Sequence, residues 1–512
     1  LTSDRSTSTP RCGHAVVLGA GVGGLLAARV LSESFDRVSV LDRDDLPGSV
    51  DAGDLGDAGR PAAGLGARRG VPQAGHLHAL MDRGREILEE LHPGLVAQLV
   101  AAGAPTSEAL VGGRWYLQGR RVGPVSTGLT SVLASRPLLE RELRRRTAAL
   151  PGVRLLPRTA VIGLVDVGGL VDVGGLVDIG GGVDVGGGVG EGGGVGEGGV
   201  GGVRIRAGGG DGASTVLAAD LVVDASGRNS RSLDWLAAAG HPAPPTSRVT
   251  VDLGYASRVY ERRPEHLGGD LSVIVSTTPG LRGGGAVAVE GDRWIVTLAG
   301  LLGEHPPTDH DGFRAFARRL PTPDIADLIH AATPLTDAVP YRFRESVRRH
   351  FEAVRRPPEG IVVVGDALCS FNPLYAQGMT VAAQQALVLR DCLRAGPRGL
   401  PGRFYRAVGP VLDVAWDMAT SSDLRYPAVV GRRTLRGRIT GSYAARAQRR
   451  AHRDPAVART LMRVVHLAEP PTALLRPTLA VRVLAPGAPR AIAPSSPPTI
   501  RDRLAVPHHE QS

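Results

Sequence analysis

The chain opens with a change of hydrophobic period. His14-Ala-Val-Val-Leu18 is a short apolar run that ends in Gly-Ala-Gly-Val-Gly-Gly, and Leu25, Leu26, Ala28, Arg29 and Val30 follow with helical spacing. A second run, Arg37-Val-Ser-Val-Leu41, stops at Asp42, so the pattern predicts strand, tight turn, helix and strand, a βαβ opening. Asp44 to Arg69 is rich in Gly, Ala and Asp, has little periodicity and reads as a surface loop. Helices are predicted at about Leu80–Leu91 and Pro137–Leu150, the second with Pro just inside its start. Strand signals follow at Thr159–Leu164, Val203–Ala207, Thr215–Leu217 and Leu221–Ala225, then across 248–300 at Leu271–Ser276, Ala286–Val289 and Trp294–Leu298. A buried strand at Ile361–Val364 leads to a helix at about 378–394; 400–466 reads helical, and the Pro-rich tail 484–512 reads as disordered.

Between two of these strands, residues 163–202 repeat a hexad, GLVDVG decaying to GGVGEG, and 20 of the 40 residues are Gly. Six hexads fall short of a capped parallel β-helix, and calcium-binding Gly-rich repeats need a nine-residue period. The stretch therefore reads as a low-complexity insert in a hairpin loop.

Composition narrows the class. At 512 residues the chain is long enough for about three domains and a large core. Its net charge of +10 is carried wholly by Arg, since no lysine occurs. This basic excess keeps acidic partners in view. Arg425 to Arg463 holds 11 Arg and one acid, Asp454. Nucleic-acid binding would want aromatic stacking, and only Tyr426 and Tyr443 are there. A solvated helical face is the favoured reading, with peripheral contact to an anionic membrane or an acidic carrier protein as the alternative. Cys12, Cys369 and Cys392 have no CxxC spacing, which points to neither disulfide framework nor zinc and fits a reducing cytoplasm. No apolar run reaches the ~18 residues of a spanning helix. Ala15 to Ala28 is uncharged but short and holds four glycines, so it is not read as a signal core. The chain begins with Leu, which leaves the true N-terminus open.

Gly19-x-Gly21-x-x-Gly24 follows a strand and opens a helix, the context in which this pattern binds a dinucleotide. Gly19 permits the turn, Gly21 lets a pyrophosphate approach the helix N-terminus, and Gly24 allows helix and strand to pack closely. Asp42, at the end of the second strand, suits a ribose hydroxyl. This motif alone does not separate FAD from NAD. A second site does: Gly365-Asp366 ends an apolar strand and continues through Asn372-Pro373 to Gln377-Gly378-Met379. Asp366 can bind a ribityl or ribose hydroxyl, and Gly378 and Met379 open a helix whose N–H groups suit the pyrimidine end of a flavin.

With both motifs in hand, the chain resembles FAD-dependent monooxygenases of the p-hydroxybenzoate hydroxylase superfamily, closest to actinobacterial oxidoreductases related to squalene-type and polyether epoxidases. The resemblance covers about 14–160 and 203–480. It is supported by Arg69-Gly-Val-Pro-Gln-Ala-Gly-His76-Leu-His78, Ser135-Arg136-Pro-Leu-Leu-Glu140 and Asp220-Leu-Val-Val-Asp224-Ala-Ser-Gly-Arg228. It implies an α/β fold: a discontinuous Rossmann-like FAD-binding domain (12–235 and 351–400), a β-sheet substrate domain (236–350) and C-terminal helices (401–483). It implies that Gly19, Gly21 and Gly24 hold the FAD pyrophosphate, Asp42 the adenosine ribose and Asp366 the pyrophosphate–ribityl region. Arg136 would contact the cofactor, and Asp224 and Arg228 would lie near the flavin and nicotinamide paths.

The implied reaction moves one oxygen atom of O2, through a C4a-hydroperoxide of the flavin, to a small hydrophobic alkene or aromatic substrate. NAD(P)H is the electron donor, direct or through a reductase. No catalytic side chain is needed, and none is assigned. No metal is expected either: His76 and His78 have no cysteine near in sequence and read as loop histidines beside the flavin, with a substrate or proton-transfer role as the alternative. A flavin halogenase would carry a catalytic lysine and a Trp-x-Trp-x-Ile-Pro segment, which are both missing. A flavin-dependent reductase of prenyl or polyene double bonds shares the fold, and a non-catalytic flavin-binding module is the alternative of another class.

Overall fold

The computed structural model describes residues 12–46, 68, 70, 72–167, 199–208 and 214–485. It opens with β1 (Cys12–Leu18), α1 (Val22–Leu31) and β2 (Phe35–Leu41). β1 is the middle of a five-stranded parallel sheet in the order Ile361–Val363, Leu221–Asp224, β1, β2, Val153–Leu156. Ala15, Val16 and Val17 are wholly buried, because a parallel sheet is covered on both faces. That is why this segment reads as a continuous apolar run and not as an alternation. The five strands come from four widely separated stretches of chain, so the α/β fold expected from the sequence is assembled discontinuously.

α2 (Arg136–Ala148) starts one residue before the expected Pro137, because the Ser135 side chain accepts from the Leu138 N–H and caps it. α3 (Gly378–Arg394) shares one hydrophobic core with α1 and α4 (Leu400–Asp423). α5 (Leu435–Ala451) and α6 (Pro455–Val465) bury a separate core against Ala109, Leu110 and Val122. Among the described residues no helix is long and apolar enough to cross a membrane.

A larger sheet lies beside the parallel one. Its longest strand, Thr246–Glu261, pairs with Val339–Arg349 on one side and Arg293–Gly300 on the other. Arg282–Val289, Ser272–Val275 and Gly113–Leu117 continue it in that order. The sheet is not confined to 236–350: Gly113–Leu117 extends one end, and Val430–Gly431 pairs with the longest strand. Its residues alternate between two jobs, as a pleated strand requires. Ala256, Ala286, Val296 and Leu298 pack under the helices His310–Ala317 and Asp324–Ala331, while Tyr255, Gly285, Thr297 and Ala299 face a cavity.

The strands that flank the hexads pair directly. Thr159–Asp166 runs antiparallel to Val200–Ala207, from Thr159 opposite Ala207 to Asp166 opposite Val200, and the Val167 N–H donates to the Gly199 carbonyl at 2.9 Å. Both strands thus reach into the 163–202 repeat; 168–198 lie outside the described residues, as do 47–67 of the expected surface loop and 486–512 of the tail. Replacing Gly168–Gly198 with an Asp-Gly turn would close the same hairpin and shorten its loop, worth about 2 kcal/mol in loop entropy. The shortened protein is expected to fold and to melt about 2 °C higher. A lower melting temperature on this deletion would show that the hexads pack against the rest of the fold.

Candidate functional site

The turn after β1 is built around glycines with different constraints. Gly19 has φ +97°, and a Cβ on it would lie 2.8 Å from the Ala225 carbonyl oxygen. A Cβ on Gly24 would lie 1.8 Å from the Gly19 carbonyl oxygen, so helix and strand touch there through backbone alone. A Cβ on Gly21 would meet nothing within 4 Å: it would project into a cavity of about 1560 Å³ lined by Gly19, Gly21 and Gly23. No side chain caps α1, which leaves the N–H groups of its first turn for a ligand.

Asp42 is buried beside this turn. Its Oδ2 accepts from the Ala20 N–H at 2.8 Å and from Arg68 Nη2 at 2.5 Å, and its Oδ1 accepts from the Asp44 N–H at 2.9 Å. Arg68 reaches Glu140 of α2 at 3.2 Å as well. Burial pulls the Arg68 pKa down, but Asp42 and Glu140 outweigh it and hold the guanidinium charge more firmly than usual. Arg68 was not singled out in the sequence, although it immediately precedes the Arg69-Gly-Val-Pro phrase. The available signal was an arginine beside that phrase; nothing in the sequence places it against Asp42.

The second motif arrives from the other end of the chain. A Cβ placed on Gly23 would lie 3.7 Å from the Ala382 Cβ of α3 and 4.0 Å from the Gly365 Cα. Asp366 Oδ1 lies 3.8 Å from the Cβ position of Gly378, and Gly365, Asp366, Gly378 and Met379 line the same cavity as Gly19 and Gly21. No side chain caps α3. Gln377, just before it, is buried with its Oε1 unpartnered. Burial pushes the Asp366 carboxyl pKa up, while Arg136 and Arg228 pull it back. Arg136 also lines the cavity; its Nε donates to Glu140 Oε1 at 2.9 Å, and its Nη1 lies 3.3 Å from His78 Nε2.

The remaining expected residues divide. Arg228 enters the cavity, with its guanidinium 4.2 Å from the centroid of the Phe343 ring. Asp224 turns away from the cavity and braces the loop that carries Arg228: it accepts from the Ser226 N–H at 2.9 Å, the Ser226 hydroxyl at 2.5 Å and the Ser230 hydroxyl. His76 is buried, bonds Ser257 at 2.8 Å and meets the Tyr255 ring edge-on at 4.7 Å. Burial lowers its pKa to about 4, and burial with Arg136 lowers that of His78 to about 3, so both are neutral at pH 7. His78 lines the cavity. Among the described residues no group of three metal-ligating side chains forms.

A further buried group was not visible in the sequence. Asp423, at the end of α4, accepts from Tyr375 at 2.7 Å and from Asn372 Nδ2 at 2.9 Å, both on the loop leading to Gly378. Its other oxygen is buried without a partner. Burial raises its pKa to about 7 against these two hydrogen bonds.

The squalene epoxidase family matches residues 295–400, the part that carries Gly365 to Met379. Protein Rv3254 of Mycobacterium tuberculosis is 31% identical over 425 residues, covering 81% of this chain and 80% of its own. The flavin-dependent brominase Bmp2 superposes with a TM-score of 0.57 at 14% identity, over 88% of this chain and 93% of its own. PqsL, a probable FAD-dependent monooxygenase from Pseudomonas aeruginosa, superposes at 0.52 with 16% identity, over 80% and 97%. 2-Methyl-3-hydroxypyridine-5-carboxylic acid oxygenase gives 0.52 at 18%, over 81% and 92%. The chain belongs to the family of Rv3254, and it shares its fold with Bmp2, PqsL and 2-methyl-3-hydroxypyridine-5-carboxylic acid oxygenase.

Proposed function

We propose that the protein is a FAD-dependent monooxygenase that transfers one oxygen atom of O2 to an electron-rich alkene or aromatic substrate, with NAD(P)H as the electron source. The observation that carries this reading is the convergence of Gly19–Gly24 and Gly365–Met379, more than 340 residues apart, on one cavity that continues along the apolar face of the large sheet. The residues present fit the cofactor. The first turn of α1 offers N–H groups to a pyrophosphate, with the open space at Gly21 leaving room for it. Asp42, locked by Arg68 and two backbone N–H groups, has acceptor capacity left for a ribose hydroxyl. Asp366, Arg136 and Arg228 would hold the middle of the dinucleotide. The N-terminus of α3 at Gly378 and Met379 would meet the flavin's pyrimidine edge, where its dipole favours negative charge.

Bound FAD supplies the redox chemistry and the activation of O2; the chain supplies position and a water-poor chamber. The wall formed by Tyr255, Ile274, Ala299 and Phe343 suits a hydrophobic substrate and excludes water from it. Nothing in this wall requires an acid or base for oxygen transfer. Bmp2 is a brominase, but this chain has no lysine and so lacks the one expected of a flavin halogenase.

Buried free thiols at Cys369 and Cys392 support a reducing compartment, the cytoplasm. Six of the 11 arginines of 425–463 turn onto protein acceptors: Arg425, Arg433, Arg446, Arg450, Arg459 and Arg463. At the start of α5, exposed Arg432, Arg436 and Arg438 sit among exposed Leu435 and Ile439, and this rim is where an anionic membrane or an acidic carrier would be met.

The reaction is tested by rapid mixing of anaerobically reduced holoenzyme with O2. A transient spectrum that is neither reduced nor oxidised flavin, preceding the oxidised one, is expected. Reduced enzyme that saturates an alkene with no oxygen present would make it a reductase, and flavin that no donor reduces would make it a binding module.

A further inference from the structure

Arg425 is held differently from Arg68 and Arg136, which line the same cavity. Arg68 is paired with Asp42 and Glu140, and Arg136 with Glu140. Arg425 lines the same cavity, yet no carboxylate of the described residues lies within 4.0 Å of its guanidinium. Its Nη2 donates to the Gly441 carbonyl at 3.1 Å and its Nη1 to Gln448 Oε1 at 3.3 Å, both neutral acceptors on α5. Gln448 Oε1 is shared, since Gln118 Nε2 donates to it at 2.8 Å. The Nε of Arg425 is buried with no acceptor at all. Burial lowers the guanidinium pKa and no carboxylate restores it, the opposite of Arg68.

The surroundings say what kind of partner is missing. The two α5 residues that hold Arg425 flank Tyr443, and the cavity around them is walled by Trp115, Leu117, Tyr443, Leu461, Val464 and Leu474. An uncompensated cation at the wall of an apolar chamber is costly unless an anion meets it, and the planar guanidinium fork matches a carboxylate bidentately. Tyr375, on the loop leading to Gly378, lines the same cavity and donates at 2.7 Å to Asp423, two residues before Arg425. The cation therefore lies between the proposed flavin site and the apolar lobe.

We propose that Arg425 anchors the carboxylate of an amphipathic acid whose apolar body fills the lobe between α5, α6 and Trp115, which makes the substrate an organic acid. This deepens the monooxygenase reading of the same cavity and rests on it. Decanoate and decan-1-ol, equal in chain and different in charge, are the probes, titrated into the full-length FAD-loaded protein by calorimetry and by the flavin's visible spectrum. Wild type is expected to bind decanoate about tenfold or more tightly than the alcohol, as one charge-assisted hydrogen-bonded pair allows. Arg425→Gln should bring the two within about twofold, and Arg425→Lys should keep part of the preference. Equal binding of the two by wild type, or no saturable binding of decanoate at millimolar concentration, would overturn the proposal even if Arg425→Gln does not fold. So would a folded, FAD-loaded Arg425→Gln that keeps the preference. A protein that takes up no FAD but prefers decanoate would instead overturn the monooxygenase reading and leave the anion site standing.

Discussion

Gly21→Val is expected to give a folded protein without flavin, and Gly24→Ala to give little folded protein at all. The two positions are three residues apart in one turn, so composition and propensity do not separate them; the space around each does. Gly21 has φ −81° and ψ 179°, extended backbone that valine adopts freely, and its Cβ would meet nothing of the protein within 4 Å. The valine side chain therefore costs the fold little and occupies the cradle in front of the α1 N–H groups. FAD affinity should fall by about 100-fold or more, because a phosphate displaced from a helix N-terminus loses several N–H contacts together. At Gly24 the Cβ would lie 1.8 Å from the Gly19 backbone oxygen, and neither strand nor helix can move without opening the core around Leu25 and Leu26. Destabilisation of about 4 kcal/mol is expected, at the upper end for overpacking. Flavin-to-protein ratio and thermal melting read both outcomes. Full flavin retention by Gly21→Val would place the pyrophosphate elsewhere.

Asp423→Asn is expected to change the pH dependence of stability strongly. The carboxyl pKa is raised to about 7 in the folded protein by burial, despite the hydrogen bonds from Tyr375 and Asn372. A raised pKa means that the folded state binds the proton more tightly than the unfolded state. The stability from the neutral carboxyl is therefore full below about pH 4 and is lost as pH rises to about 7, a change of about 4 kcal/mol. Asparagine stays neutral, and its oxygen can still accept from Tyr375 and Asn372. Wild type should lose melting temperature relative to the variant between pH 5 and 8, with the difference levelling off above pH 7. Because Asn372 and Tyr375 belong to the loop leading to Gly378, the wild-type flavin spectrum should also shift near pH 7, and that of the variant should not. A pH-independent difference in melting temperature would mean that Asp423 stays ionised throughout.

What could be read from the sequence were the parts whose chemistry is local. Gly19, Gly21 and Gly24 act within one turn and Asp42 within one βαβ unit, so spacing alone places them together. The Gly365–Met379 loop is legible as a motif; its approach to Gly23, with the Gly365 Cα 4.0 Å from where a Cβ on Gly23 would lie, follows from the packing of α3 on α1, not from either segment. Arg68 could not be found in the same way, since its role depends on carboxylates from β2's end and α2 meeting over one guanidinium. Asp423 and Tyr375 are 48 residues apart on a helix and a loop whose pairing no periodicity reports. The Arg-rich run 425–463 was read as one face, yet Arg425 faces the cavity and Arg438 the solvent, because the chain turns between α4 and α5 and splits the run. The large sheet takes Gly113–Leu117 from far outside 236–350 for a similar reason: partners in a sheet are chosen by edges, not by order in the chain.

The proposed chemistry requires one dinucleotide spanning both halves of the site, from the glycine turn at Gly19–Gly24 to the loop at Gly365–Met379. The direct measurement is the identity and stoichiometry of the flavin released by heating protein purified without added cofactor. One FAD per chain is the result predicted. FMN in its place, or a colourless protein that fails to take up FAD when it is supplied, would contradict the account, because neither could tie the two motifs together.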